Sequence, residues 1–215
     1  AMNLPYTTFF GLGLPDISSQ SKVPDIFADN AEKKIDAAMT QSVDPRASDP
    51  LLIGYYLGNE QHFEDLPRLI PTLNGKMGVK RRLVQMFVDK YKDIGKFNEA
   101  WKPKTPAQSF DQLKDMPLAI TTQEAADDMQ AFQDLLTDTY YGTIARIFHK
   151  HDHNHLLLGS RWQPGTANSK VLLKNAGQYI DVISVNYYTY GIEKDFLKKI
   201  HDLTGGKPLL MSEWH

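Results

Sequence analysis

Five short apolar runs, rich in β-branched and aromatic residues, recur along the sequence. Within most of them the apolar residues stand next to one another rather than alternating with polar ones. Consecutive apolar positions are typical of strands covered on both faces, as in a parallel sheet wrapped by helices. We therefore predict five β-strands, at residues 6–10, 51–57, 155–160, 181–188 and 208–212.

Longer stretches with helical periodicity separate these runs. Apolar residues recur at spacings of three and four in residues 29–41 and 76–92, which predicts two amphipathic helices. The run Thr121-Thr122-Gln123-Glu124 has the form of a capping box and predicts a helix that continues to about residue 150. Two shorter helices are expected at about residues 168–178 and 192–203, the second ended by Gly205-Gly206.

The alternation of strand and helix indicates repeated βαβ units, in which strands pair in parallel through right-handed crossovers. Five such units fit either a doubly wound sheet or part of an eight-stranded barrel. A complete barrel takes about 250 residues, and the segment between Leu57 and His155 uses much of this chain. Eight units therefore do not fit within 215 residues. We interpret the chain as a single domain.

Composition and charge narrow the classes of function. The chain is 41% hydrophobic and 23% charged, with a net charge of -2 and a pI near 6.4. This charge balance gives no indication of a basic surface, so nucleic acid is not expected as a partner. No apolar run reaches the roughly 18 residues that cross a bilayer, and no signal peptide is expected at the N-terminus. The absence of cysteine excludes disulfides, thiolate metal sites and a cysteine nucleophile.

Two of the predicted strands end in a glutamate. Residues 51–57 lead into Gly58-Asn59-Glu60, and residues 207–211 lead into Ser212-Glu213. Active sites of parallel α/β folds assemble at the carboxyl ends of strands. Two carboxyl groups about 5–5.5 Å apart can cleave a glycosidic bond with retention, one as acid and one as nucleophile. Repulsion between them is expected to raise the pKa of one, which keeps the acid protonated near neutral pH.

The Asn-Glu pair ending one strand and the Ser-Glu pair three strands later resemble the catalytic motifs of clan A glycoside hydrolases. The resemblance implies an α/β fold of the TIM-barrel type. Residues 1–215 would then form a partial (β/α)8-barrel catalytic domain that contains strands three to seven. The same resemblance implies Glu60 as the acid/base, Glu213 as the nucleophile and Asn59 as a ligand of the sugar 2-hydroxyl. It implies no cofactor and no metal.

Three further segments make the resemblance finer. Residues 79–101 are similar to a helix–turn–helix of families 42 and 50, the β-galactosidases and β-agarases of the clan. Residues 152–161 and 179–188 are similar to family 50. The resemblance implies a retaining hydrolase of β-linked galactose-containing poly- or oligosaccharides, with a periplasmic or secreted parent enzyme. A family 42-type β-galactosidase is an alternative, as is a non-catalytic module that binds carbohydrate or associates with itself.

Other candidate site residues follow from their positions at strand ends. Tyr187 or Tyr188 is placed to donate a hydrogen bond to the Glu213 carboxylate and so to favour its ionised form. Aromatic rings just past strand tips can stack on sugars, and polar groups there can bind hydroxyls. The predicted substrate-binding residues are Asn59, His62, Arg161, Trp162, Asn186, Tyr187, Tyr188, Trp214 and His215, with Gln163 among them.

A histidine-rich tract, residues 149–155, has the composition of a metal site. It precedes the third predicted strand, so it would lie at the amino end of the barrel, opposite the two glutamates. We expect it to contribute to turn formation or stability rather than to bind a metal.

The sequence departs from the family because strands one, two and eight have no counterpart. The clan's arginine near strand two and its tryptophan on strand eight therefore cannot be assigned. A five-stranded piece would leave its outer strands as unpaired edges, which favour association. We expect either a homo-oligomer that completes the barrel or missing barrel segments of a longer enzyme.

Overall fold

The computed structural model describes residues 4–214, along which strands and helices alternate. All five predicted strands are present, most of them close to their predicted bounds. They are β1 (Tyr6–Phe9), β2 (Leu52–Tyr56), β3 (Leu156–Leu157), β4 (Ile183–Asn186) and β5 (Leu209–Glu213).

The predicted helices are also present, including both halves of the helix–turn–helix. The α-helices of the described chain are α1 (Ala31–Ser42), α2 (Leu66–Leu69), α3 (Gly78–Tyr91), α4 (Ile94–Trp101), α5 (Gln123–His151), α6 (Lys170–Tyr179) and α7 (Lys194–Leu203). Short 3-10 helices cover Asp44–Arg46, Phe63–Asp65, Ile70–Thr72, Asp111–Lys114 and Thr166–Asn168. Within residues 4–214 no helix has the length and apolar character to cross a membrane.

The five strands run parallel and follow one another in chain order. β2 pairs with β1 and with β3, while β4 pairs with β5. A parallel bridge between Trp162 and Val185 joins the two groups, and Asn186 N donates to Trp162 O at 2.8 Å. A doubly wound sheet reverses its strand order at a switch point. The described strands show no such reversal, so the doubly wound alternative is not supported.

The third strand is shorter than predicted. Residues 155–160 form one apolar run in the sequence, yet only Leu156–Leu157 join the ladder. Gly159 has a φ of +74° and Arg161 a φ of +45°, so the backbone leaves extended geometry before the bridge at Trp162. The apolar pattern reports the burial of Leu157 and Leu158 but carries no information about this turn.

The long helix α5 begins one residue later than the capping box predicted. Thr122, rather than Thr121, is the N-cap, and its hydroxyl accepts a hydrogen bond from Ala125 N at 3.1 Å. Glu124 is therefore the second helical residue, whereas a capping box needs its acid at the third. Thr122 still satisfies one of the unpaired N–H groups of the first turn.

The helices cover one face of the sheet, called here the outer face. Phe10 and Tyr55 pack against Phe148 of α5, with ring centroids 5.9 and 5.5 Å from it. The opposite, inner face is partly open, because Phe9 is 47% exposed and Leu156 is 40% exposed. The core of the described chain therefore lies between the sheet and the helices.

A buried carboxylate fixes the helix–turn–helix to α5. Asp128 of α5 is 2% exposed and accepts hydrogen bonds from Tyr91 Oη at 2.6 Å and Trp101 Nε1 at 2.8 Å. The ammonium group of Lys90 contacts the same carboxylate. Three helices, α3, α4 and α5, therefore meet at one charged group.

Candidate active site

Glu60 lies just beyond the carboxyl end of β2. Its backbone has a φ of +52°, in the left-handed region that residues other than glycine rarely adopt. The residue is half-buried, and its Oε1 accepts a hydrogen bond from Asn186 Nδ2 at 3.1 Å. This contact joins the end of β2 to the end of β4.

Asn186, the last residue of β4, is fully buried and connects three strand ends. Its Nδ2 donates to Glu60 Oε1 and also to Asn59 Oδ1 at 3.3 Å. Its Oδ1 accepts from Ser212 Oγ at 2.9 Å. Because protein groups engage both amide hydrogens, the predicted substrate-binding role of Asn186 is not supported, and its contacts favour a role in positioning Glu60.

Glu213 is the last residue of β5 and lies opposite Asn186. The pairing of β4 with β5 shifts register there, which leaves Ser212 as an extra residue. A β-bulge of this kind interrupts the alternation of side chains, so Ser212 and Glu213 both reach the site. The two carboxylate oxygens of Glu213 contact the guanidinium of Arg161 and the hydroxyl of Tyr188.

Arg161 follows β3 and is held on several sides. Its guanidinium carbon lies 5.7 Å from the ring centroid of Phe9 and 5.5 Å from that of Tyr56. Its Nη2 lies 3.4 Å from Ser212 O and contacts the Glu213 carboxylate. Cations over aromatic faces are attracted to them. Arg161 therefore pairs with Glu213 rather than standing free at the rim.

Hydrogen bonding lowers the pKa of Glu60. The bond from Asn186 is the largest cause, a bond from Gln163 and the charges of Lys22 and His62 add to it, and burial opposes it. We expected repulsion between the two carboxylates to raise the pKa of the acid. For Glu60 that expectation is wrong, because the hydrogen bonds and the neighbouring charges outweigh the effect of burial on its pKa.

Tyr188 is influenced by both carboxylates. Its hydrogen bond to Glu213 is the largest cause that raises the pKa of the phenol, and the charges of Glu213 and Glu60 raise it further. The charge of Arg161 acts in the opposite direction. The hydrogen bonds that join Glu60 to Asn186, and Asn186 to Ser212 beside Glu213, place both acids at the same end of the sheet.

Of the two adjacent tyrosines, Tyr188 is the one whose hydroxyl contacts the Glu213 carboxylate, whereas Tyr187 meets Glu213 through the backbone, its N–H donating to Glu213 O at 2.8 Å. Tyr187 is 4% exposed, its hydroxyl accepts a hydrogen bond from Glu193 N at 3.1 Å, and its ring stacks on Phe196 at 5.8 Å. The alternative that Tyr187 supports the nucleophile, or binds substrate, is therefore not supported.

Trp162 is placed in the core rather than at the rim. It is 1% exposed and packs edge-on against Tyr141, with ring centroids 6.3 Å apart. A ring covered by protein cannot stack on a sugar, so this burial contradicts the predicted substrate-binding role of Trp162.

Two further candidates are accessible near the glutamates. Trp214, just past β5, is 73% exposed. His62 is half-buried, with its Nδ1 3.1 Å from Glu64 Oε1. Their roles in substrate binding, like that of Asn59, stay predictions, and His215 lies outside the described residues.

Lys22 is a site neighbour that the sequence analysis missed. It lies in the loop after β1 with a φ of +53°, and its carbonyl accepts from Gln61 Nε2 at 3.0 Å. The two residues are 39 positions apart in the chain. No local pattern marks such a contact between loops, and the same holds for the link between Ser212 and Asn186.

The histidine tract is bonded to aspartates at the amino ends of the strands. His151 Nδ1 lies 2.6 Å from Asp44 Oδ1, and His155 Nδ1 lies 2.7 Å from Asp152 Oδ2. His155 Nε2 lies 2.9 Å from Asp49 O. In the part of the chain that the structure describes, no group of three or more His, Cys, Asp or Glu side chains could hold a metal ion.

Comparison with solved structures identifies agarases and β-galactosidases, two kinds of glycoside hydrolase, as proteins of similar fold. Searches against family models and curated proteins found no match. PfGH50B matches with a TM-score of 0.81 and 20% identity, over 98% of this chain and 32% of that one. An exo-β-agarase matches with a TM-score of 0.80 and 19% identity, over 98% and 30%. A β-galactosidase from the psychrophilic Marinomonas ef1 matches at 0.61 and 16%, over 90% and 32%.

These similarities confirm, at the level of the fold, the predicted resemblance to family 50 with additional likeness to family 42. The chain is a mixed α/β structure that superposes on part of each of these enzymes. It spans about a third of the length of the solved chains it matches.

Proposed function

We propose that this chain carries the catalytic centre of a retaining β-glycosidase, with Glu60 as acid/base and Glu213 as nucleophile. In this proposal residues 1–215 form a partial (β/α)8-barrel catalytic domain, and β1 to β5 correspond to strands three to seven. The convergence of Glu60 and Glu213 on Asn186, Ser212 and Tyr188 at the carboxyl ends of parallel strands carries the proposal. The consecutive parallel strand order supports the barrel.

The proposed chemistry has two steps. Glu213 attacks the anomeric carbon while Glu60 protonates the departing glycosidic oxygen, which gives a glycosyl-enzyme and a free alcohol. Glu60, now ionised, takes a proton from water, whose oxygen attacks the anomeric carbon and releases Glu213. Arg161 and Tyr188 both donate to the carboxylate of Glu213 and so hold it in place for the attack. A sugar bound over Glu60 would remove water and raise its pKa, against the effect of Asn186.

The proposed substrate is a β-linked galactose-containing polysaccharide or oligosaccharide. The three structures with TM-scores of 0.79 to 0.81 are PfGH50B, the agarase AgWH50C and an exo-β-agarase. Exposed Trp214 and half-buried His62 are the candidate sugar contacts beside Asn59. No cofactor or metal enters the proposed steps.

The test removes each acid in turn. Glu213→Gln is expected to lower the hydrolysis of agarose oligosaccharides by about 10⁴-fold or more, since loss of a nucleophile is rarely compensated. Glu60→Gln is expected to lower it by about 10²–10⁴-fold. With a dinitrophenyl galactoside the loss in Glu60→Gln shrinks, because that leaving group departs without a proton.

Glu99→Gln, on the exposed side of α4, is the matched control and is expected to keep full activity. Full hydrolysis by both Glu60→Gln and Glu213→Gln would refute the proposal. Sugar binding in calorimetry, with no hydrolysis by the unaltered chain, would favour a non-catalytic carbohydrate-binding module instead.

A β-galactosidase active on short oligosaccharides is the second candidate. The fold similarity to the Marinomonas enzyme, with a TM-score of 0.61, favours it, although less than the agarase structures favour the first. Products from agarose compared with those from a nitrophenyl galactoside separate the two activities.

A further inference from the structure

Hydrogen bonds of the Asn186 amide join four side chains into one unit, which consists of Asn59, Glu60, Asn186 and Ser212. We propose that Asn186 and Ser212 are positioning residues that fix the orientation of the Glu60 carboxylate, with Ser212 acting through the amide of Asn186. This inference rests on the proposed acid/base role of Glu60. Ser212, which adjoins Glu213 in the chain, therefore acts on the other acid, Glu60.

Only one orientation of the Asn186 amide satisfies its neighbours. Glu60 Oε1 and Asn59 Oδ1 are acceptors, so the amide nitrogen must face them, at 3.1 and 3.3 Å. The amide oxygen then faces Ser212 Oγ at 2.9 Å and accepts its hydrogen. Rotating the amide by half a turn would set its oxygen against two acceptors. The Ser212 hydroxyl therefore stabilises the orientation that Glu60 requires.

The surroundings leave the unit little freedom to rearrange. Asn186 is fully buried, and its backbone N–H donates to Trp162 O at 2.8 Å. The register shift at the end of β5 brings Ser212 to the side of Asn186, where regular alternation would have turned one of Ser212 and Glu213 away. Buried amides that lose a partner rarely find water to replace it.

Other groups also act on the Glu60 carboxyl, and they are independent of this unit. They are Lys22, His62, Gln163 and Tyr188. All four side chains remain in variants of Asn186 and Ser212. A change in the Glu60 titration in those variants therefore reports on the amide itself.

The test is a ¹³C NMR titration of the Glu60 carboxyl in the whole 215-residue chain, assigned through the loss of its signal in Glu60→Gln. Asn186→Ala removes the donor, so the titration midpoint is expected to move to higher pH. Ser212→Ala lets the amide rotate and is expected to move it in the same direction by less. Ser212→Thr keeps the hydroxyl and is expected to return the midpoint to the unaltered value.

Thr204→Ala is the matched control, because it removes a buried hydroxyl after α7 that donates to Ile200 O at 2.8 Å. Its midpoint is expected to stay unchanged. An unchanged midpoint in Ser212→Ala and in folded Asn186→Ala would overturn the inference, and so would an equal rise in Thr204→Ala. If Asn186→Ala does not fold, the difference between the Glu60 midpoints of Ser212→Ala and Ser212→Thr tests the inference. The titration needs no turnover, so an inactive chain would refute the proposed function without deciding this point.

Discussion

The phenol of Tyr188 donates to Glu213 and responds to the charge of Glu60, so its ionisation reports on both acids. We expect Glu213→Gln to lower the pKa of Tyr188, because a neutral amide no longer opposes the phenolate charge. Titration of tyrosine ¹³C resonances measures the shift. Glu193→Gln, an exposed neighbour, is the control, and an unmoved Tyr188 in Glu213→Gln would contradict the contact.

Lys80 gives a prediction about pH and stability. Its ammonium is fully buried against Pro71 O and Met116 O, and burial lowers its pKa from 10.5 to about 8. Between those pH values the unfolded chain binds this proton and the folded chain does not. This group therefore makes the folded state more stable as pH rises from 8 to 10.5.

Lys80→Met is expected to remove that increase in the free energy of unfolding. Urea unfolding at several pH values across the window measures it. Lys76→Met, at an exposed position, is the control and should keep the pH dependence of the unaltered chain. An identical pH dependence in Lys80→Met would show that Lys80 keeps its proton throughout the window.

Single residues were predicted with uneven success. The strand-end positions of Glu60, Glu213, Arg161 and Tyr188 could be predicted because each follows an apolar run, whereas their roles stay predictions. Trp162 was misassigned because proximity to a strand end does not say which way a side chain points. The role of Ser212 depends on a bulge, which arises from pairing with a distant strand and leaves no mark in the local pattern.

At the scale of elements, long periodic segments were the most predictable. Helix α5 and the α3–α4 pair follow local periodicity and capping, which the sequence contains directly. The four-residue α2 is too short to show a period, and β3 is shortened by the turn after it. Element boundaries therefore failed where tertiary contacts, rather than local preference, decide the backbone.

We expect the buried Asp128 carboxylate to contribute strongly to the stability of the fold, because α3, α4 and α5 meet at it. Asp128→Ala is expected to lower the free energy of unfolding by about 2–4 kcal/mol, because Tyr91 and Trp101 lose their buried acceptor. Chemical denaturation monitored by tryptophan fluorescence measures the change. Asp127→Ala, one residue away and exposed, should alter stability by less than about 0.5 kcal/mol. Equal effects of the two variants would contradict the role of the buried carboxylate.

At the scale of the whole molecule, we expect two copies of the chain to associate through the inner face of the sheet. Phe9 and Leu156 are exposed there, and within residues 4–214 the ladders pair β1 with β2 alone and β5 with β4 alone. Apolar faces beside unpaired edges favour contact with another chain. We expect light scattering to give a mass near twice the 24.4 kDa of one chain.

Phe9→Ser is expected to shift this equilibrium toward the single chain. Ile192→Ser removes an exposed apolar residue before α7 and is expected to leave the mass unchanged. A single-chain mass for the unaltered protein at every concentration would contradict the prediction.

The left-handed backbone at Glu60 and Arg161 has a consequence for anyone who engineers this scaffold. For residues with a Cβ that conformation costs about 1–2 kcal/mol, whereas glycine adopts it readily. Directed evolution for heat resistance alone would therefore reward Glu60→Gly early, whereas Arg161→Gly would also lose the contacts of Arg161 with Phe9, Tyr56 and Glu213. Libraries screened only for survival at high temperature would become enriched in well-folded chains that have lost the Glu60 carboxyl, unless catalysis is selected in the same round.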